Sequence, residues 1–120
     1  ANDSGFDLTA ADQLVYNRML ASAAHARGLG IGLKNDLDQV VDLVDVFDCA
    51  VNEQCFRYTE CDLLAPFIDQ GKAVLQVEYN RRLVDDAVAR DALCRDARGQ
   101  QFSTLILPLL LDDAFRYSCD

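Results

Sequence analysis

The sequence predicts an α/β fold whose parallel strands are joined through helices, and three features carry that reading. Short apolar runs recur along the chain, each closing in a polar cluster; segments of helical periodicity separate them; and no linker, low-complexity stretch or charge block interrupts the alternation. Hairpins cannot carry intervening helices, so successive strands pair in parallel through crossovers. From the residues alone two architectures satisfy this pattern: a small open sheet covered on both faces, or half of an eight-stranded barrel. At 120 residues the chain is expected to be one domain.

Each element has a local reason. Thr9 followed by Asp12 opens a capping box, and Val15, Met19, Ala23 and Ala26 continue at helical spacing until Gly28, predicting a helix over 10–27. Leu29 to Leu33 is a short apolar run ending in Lys34, Asn35 and Asp36, which reads as a buried strand. Leu37, Val40, Val41 and Val44 follow the i, i+3, i+4, i+7 template of a helix over 37–45, with Asp36 placed to cap it. Residues 46–51 form the next strand, closed by Asn52, Glu53 and Gln54. A helix over 61–70 turns Leu64, Phe67 and Ile68 inward and stops at Gly71, and residues 73–77 form a third strand ending at Glu78, Tyr79 and Asn80. The fourth helix, 84–98, pairs Asp86 with Arg90 across one turn, and the last strand covers 104–108.

Charge and cysteine usage narrow the function classes. Twenty acidic against eleven basic residues give a net charge of −9, the wrong sign for tracking phosphates, so nucleic acid and anionic membrane are excluded as partners. The same excess concentrates a cationic ligand. No apolar run approaches the roughly 18 residues that span a bilayer, and residues 1–5 lack a signal-peptide start. Of the five cysteines, Cys55, Cys61, Cys94 and Cys119 lie near element ends and Cys49 sits in an apolar run, a pattern of two disulfides and one buried free thiol. Structural zinc wants closer Cys or His pairs than Cys55 and Cys61, and the lone His25 is remote from them. Disulfides imply an oxidising compartment, so the protein is expected to be secreted or extracellular.

In either parallel architecture the carboxyl ends of the strands carry function. Here those ends bear Lys34, Asn35, Asp36, Asn52, Glu53, Gln54, Glu78 and Tyr79, and the last strand leads to Asp112 and Asp113. Carboxylates gathered on one rim suit glycosidic cleavage, where one carboxyl donates a proton and another acts as base or nucleophile. Helix capping is a second use of the same groups, and a divalent-cation site on Asp36, Glu78, Asp112 and Asp113 a third. No GxGxxG or GxxxxGK[ST] follows a strand; the glycines between Gly28 and Gly32 end a helix and thin a strand. His25, in the last turn of its helix, suits a solvated or dipole role, and without another histidine a Ser or Cys triad has no base.

The strings "GLKNDLDQ", "FDCAVNEQCFRYTEC", "VEY" and "FSTLILPLLLDDAFRYSC" follow in order along the chain, which resembles end to end the later part of glycoside hydrolase family 114, the endo-α-1,4-polygalactosaminidases. That resemblance implies a partial triosephosphate-isomerase-type (β/α)8 barrel, roughly its last four β/α units, from a secreted enzyme that cleaves α-1,4 linkages in galactosamine-containing polysaccharide with no metal or organic cofactor. A deacetylated galactosamine polymer is polycationic, which gives the acidic surface a purpose. Glu53 resembles one of the family's two catalytic carboxylates and is cast as the acid/base; the other, an Asp, is expected just before Ala1. The resemblance implies a sugar cleft at Lys34, Asn35, Asp36, Glu78 and Tyr79, which Asn52, Gln54 and Asp112 join as strand-end residues, and disulfides Cys55–Cys61 and Cys94–Cys119. Cys49 and Leu110 depart from the family pattern. A half-barrel leaves open edges that favour self-association, and a non-catalytic carbohydrate-binding or interaction module is the alternative reading.

Overall fold

The computed structural model describes residues 5–120; residues 1–4, part of the stretch that lacks a signal-peptide start, lie outside it. The chain runs α1 (Ala10–His25), β1 (Gly32–Lys34), α2 (Val40–Leu43), β2 (Cys49–Glu53), α3 (Cys55–Tyr58), α4 (Ala65–Asp69), β3 (Ala73–Glu78), α5 (Arg81–Asp85), α6 (Ala87–Gly99), β4 (Ser103–Ile106) and β5 (Tyr117–Ser118), with 3₁₀ turns at Leu37–Gln39 and Cys61–Leu64. Five strands form one sheet in the order β1-β2-β3-β4-β5. The first four pair in parallel and β5 pairs antiparallel with β4. Strand order follows chain order without a reversal, so among the described residues there is no topological switch point and the winding is that of an unclosed barrel.

Register and burial show which face is which. The rows Leu33–Ala50–Val74 and Asn52–Gln76–Thr104 are buried, as are Glu78 and Ile106. Leu33, Ala50 and Val74 join Val40, Leu43, Leu64 and Phe67 in one apolar cluster, which places the helices on this side. Side chains alternate along a strand, so the opposite face carries Gly32, Lys34, Cys49, Val51, Glu53, Leu75, Val77 and Leu105. No helix covers it among the described residues, and Leu75 is 44% exposed there. A sheet with helices on one side and a bare apolar face on the other is a segment of barrel wall seen with its lumen open. Gly32 sits on the lumen side, where a Cβ would come within 3.2 Å of Cys49 Sγ; the glycine makes room for a half-buried free thiol.

Several expected details shift. The first strand occupies 32–34, not 29–33, and Leu29 is exposed. Asp48 explains the offset: its carboxylate accepts the Ile31 N–H at 2.7 Å and its own N–H donates to the Ile31 carbonyl, so ladder pairing begins only at Gly32. The second helix starts as a 3₁₀ turn, which changes the phase and sends Val41 into solvent while Val40, Leu43 and Val44 pack. Asp36 does not cap it; Asp36 lies in the left-handed region and accepts from Asn17 Nδ2 at 3.0 Å. The fourth helix is two, split at Asp86, whose carboxylate caps the Val88 and Ala89 N–H groups and does not pair with Arg90. In α1 the capping box forms as expected, yet Leu14, Asn17 and Ala21 pack while Val15 and Met19 face out. Strand β5 and helix α3 have no counterpart in the sequence reading, and α5 starts at Arg81, ahead of the predicted 84.

Candidate functional site

Three chain segments meet at the carboxyl end of the sheet. On the lumen face, Lys34 ends β1, Glu53 ends β2 and Tyr79 follows β3, each two residues beyond a lumen-facing neighbour. Lys34 Nζ lies 3.1 Å from Glu53 Oε1, and the Tyr79 phenol is close enough to the same carboxylate to feel its charge. Partial burial, then the Glu53 carboxylate, push the Tyr79 phenol up from its ordinary value. The backbone is pinned as well: the Glu53 N–H donates to Asn35 Oδ1 at 3.1 Å, and the Gln54 N–H to the Val77 carbonyl at 2.8 Å.

Beside this cluster an open groove of about 370 Å³ runs between the loops after β1 and β2. Asp36, Asp38, Glu53 and Glu60 contribute carboxylates to its lining, joined by Asn35, Gln54 and Tyr58, and no Lys or Arg lines it. Burial, helped by the charge of Asp38 and opposed by the Asn17 amide, raises the Asp36 carboxyl above its ordinary range. Asp38, Tyr58 and Glu60 were missed by the sequence reading; the signal for the last two was their position inside the Cys55–Cys61 loop, which the disulfide closes against the rim.

Asn52 borders the groove as expected, but its amide and the Glu78 carboxylate point away from the lumen. Both belong to the helix-covered face and are 1% exposed, so their side chains do not face the lumen. Asn52 Nδ2 donates to Gln76 Oε1 at 2.9 Å, Gln76 Nε2 donates to Glu78 Oε1 at 2.8 Å, and the Phe56 N–H donates to the same Glu78 oxygen at 3.0 Å. Asp112 lies in the exposed loop after β4, caps the Ala114 N–H and borders a second groove with Arg57, Tyr79 and Pro108. Among the described residues no group of three His, Cys, Asp or Glu side chains is arranged to hold a metal ion, so Asp36, Glu78, Asp112 and Asp113 do not converge on a cation. His25 binds Asp48 at 3.0 Å, away from the rim. Both disulfides, Cys55–Cys61 and Cys94–Cys119, are formed. No helix among the described residues is long and apolar enough to cross a membrane.

Comparison with known proteins decides the family. The model of glycoside hydrolase family GH114 matches residues 1–120. The chain belongs to family GH114. The crystal structure of Aspergillus fumigatus Ega3 in complex with galactosamine matches with a TM-score of 0.83 and 40% identity, covering 98% of this chain and 49% of that one. This GH114 chain therefore spans about half the length of Ega3, and its fold is a partial (β/α) barrel like the corresponding part of that structure. No curated protein sequence matches.

The buried Glu78 gives this GH114 domain a pH signature. Burial raises its carboxyl from the ordinary 4.5, outweighing the hydrogen bonds that favour the charged form. The folded state then holds this proton more tightly than the unfolded chain, so stability is highest below the ordinary value and falls as pH rises towards the folded one. Asp36 acts in the same direction. Urea titrations from about pH 4 to 7 are expected to show falling stability, and Glu78→Gln is expected to flatten the slope.

Proposed function

We propose that this chain forms half the catalytic rim of a glycoside hydrolase that cleaves α-1,4 linkages in galactosamine-containing polysaccharide, with Glu53 as the acid/base. The observation that carries the reading is the placement of Glu53 on the lumen face at the carboxyl end of β2, ion-paired with Lys34 and adjacent to Tyr79, in a GH114 chain 40% identical to a protein solved with galactosamine. Glu53 protonates the leaving oxygen and then takes the proton back from water. The second carboxylate is the Asp expected on the strand preceding α1. Asn35, Asp36, Gln54 and Asp112 border the two grooves and line the path of the polymer, while Lys34 and Tyr79 orient Glu53. The carboxylates beside Glu53 attract the ammonium groups of a deacetylated chain. Two formed disulfides favour secretion. The edge of β1, unpaired among the described residues, and the lumen face favour association with a complementary half-barrel, including a second copy.

The test is release of reducing ends from a deacetylated α-1,4-galactosamine polymer by the full-length gene product. Release is expected; binding without release supports the carbohydrate-binding alternative, and neither binding nor release overturns the assignment.

A further inference from the structure

The buried carboxylate of Glu78 is unused by the reaction just described, and its partners surround Glu53 in sequence. Asn52 precedes Glu53, and Phe56 and Arg57 follow it by three and four residues. Asn52 and Phe56 are tied to one group: Asn52 donates to Gln76, and Gln76 and the Phe56 N–H both donate to Glu78 Oε1, while Arg57 lies close enough to lower the cost of the Glu78 charge. Between these anchors Gln54 adopts φ +60°, a left-handed conformation uncommon for a residue with a Cβ and maintained only where its surroundings enforce it. Burying a carboxylate is costly, and a neutral amide accepts from these two donors more weakly than a charged carboxylate does. Glu78 itself is on the opposite face of the sheet from Glu53, so it touches no substrate.

We propose that Glu78 is a positioning residue for Glu53: through Gln76, Asn52 and the start of α3 it fixes the turn from which the Glu53 side chain projects into the lumen. The proposal rests on the assignment of Glu53 as acid/base.

Glu78→Gln in the full-length gene product keeps the shape but removes the charge that strengthens acceptance from Gln76 and Phe56. It is expected to lower kcat per folded molecule by about 10- to 100-fold with little change in KM, the cost of displacing a catalytic group by a fraction of an ångström to an ångström. The limb of the pH–rate profile that Glu53→Gln removes is expected to move as well. A merely structural role lowers the folded fraction and leaves both quantities untouched, and that result overturns the proposal. Should Glu78→Gln not fold, Gln76→Met, which retains the volume and cuts the link between Asn52 and Glu78, decides by the same two readouts. Glu53→Gln run in parallel separates the two ideas: activity retained there removes the acid/base assignment, whereas an inactive Glu53→Gln with a wild-type Glu78→Gln removes only the positioning role.

Discussion

Replacing Glu53 by Gln is expected to lower the rate of galactosaminide hydrolysis by about 10²- to 10⁴-fold, the range that one general acid/base contributes. The amide fills the same space beside Lys34 and Tyr79, but it has no proton to exchange with the leaving oxygen. Stability should hardly change. Glu53 is partly exposed on the lumen face, its ion pair with Lys34 is half in solvent, and such pairs are worth about 0–1 kcal/mol. A urea midpoint near that of the parent therefore accompanies the loss of rate, and the two together separate chemistry from folding. Substrate affinity, set largely by the groove carboxylates, is expected to persist in equilibrium binding to the polymer. Full hydrolysis by Glu53→Gln would reassign the acid/base to another carboxylate of the rim.

The course of the chain was legible because apolar runs and stop signals carry the alternation of strands and helices, but phase was not. One apolar run spans 29–33, and periodicity cannot say that Asp48 delays its pairing to Gly32. Val41 fits an α-helical template that fails once the first turn is 3₁₀. Helix α1 carries apolar residues around its circumference, with Val15, Tyr16 and Met19 exposed, so no stripe singles out its packed side. At the site, strand alternation separates Asn52 from Glu53 and Glu78 from Tyr79 as opposite faces. Which face is the lumen was hidden, because the covered side also carries polar residues: Asn52, Gln76, Glu78 and Thr104 read as surface groups until burial shows otherwise. The two-residue strand β5 is too short for any periodicity, and it is held by cross-links from elsewhere in the chain.

Those cross-links make the second large expectation. Cys94 and Cys119 join α6 to the residue after β5 across 25 positions, and both are buried. Closing a loop of that length in the unfolded chain corresponds to about 3.5 kcal/mol, against about 2 kcal/mol for the six-residue separation of Cys55 and Cys61. The pair replaced by Cys94→Ala with Cys119→Ala is thus expected to account for most of the stability lost on full reduction, read as the shift in urea unfolding. The loss should be local first. Strand β5 contributes two residues to the sheet, Arg98 donates to the Cys119 carbonyl at 2.6 Å, and Arg90 stacks on Phe115 and Tyr117 while donating to the Leu83 and Val84 carbonyls. Without the disulfide these contacts and the apolar packing of Phe115 and Tyr117 with Ala89 and Leu93 hold the last segment against α6, so hydrogen exchange should rise at Cys119, whose N–H is bonded to Thr104, before it rises in β2 or β3. The loop between β4 and β5 carries Asp112 beside Tyr79, so release of β5 frees one wall of the second groove and weakens polymer binding. Unchanged exchange at β5 in the double variant would show that the remaining contacts suffice and that the disulfide adds only to global stability.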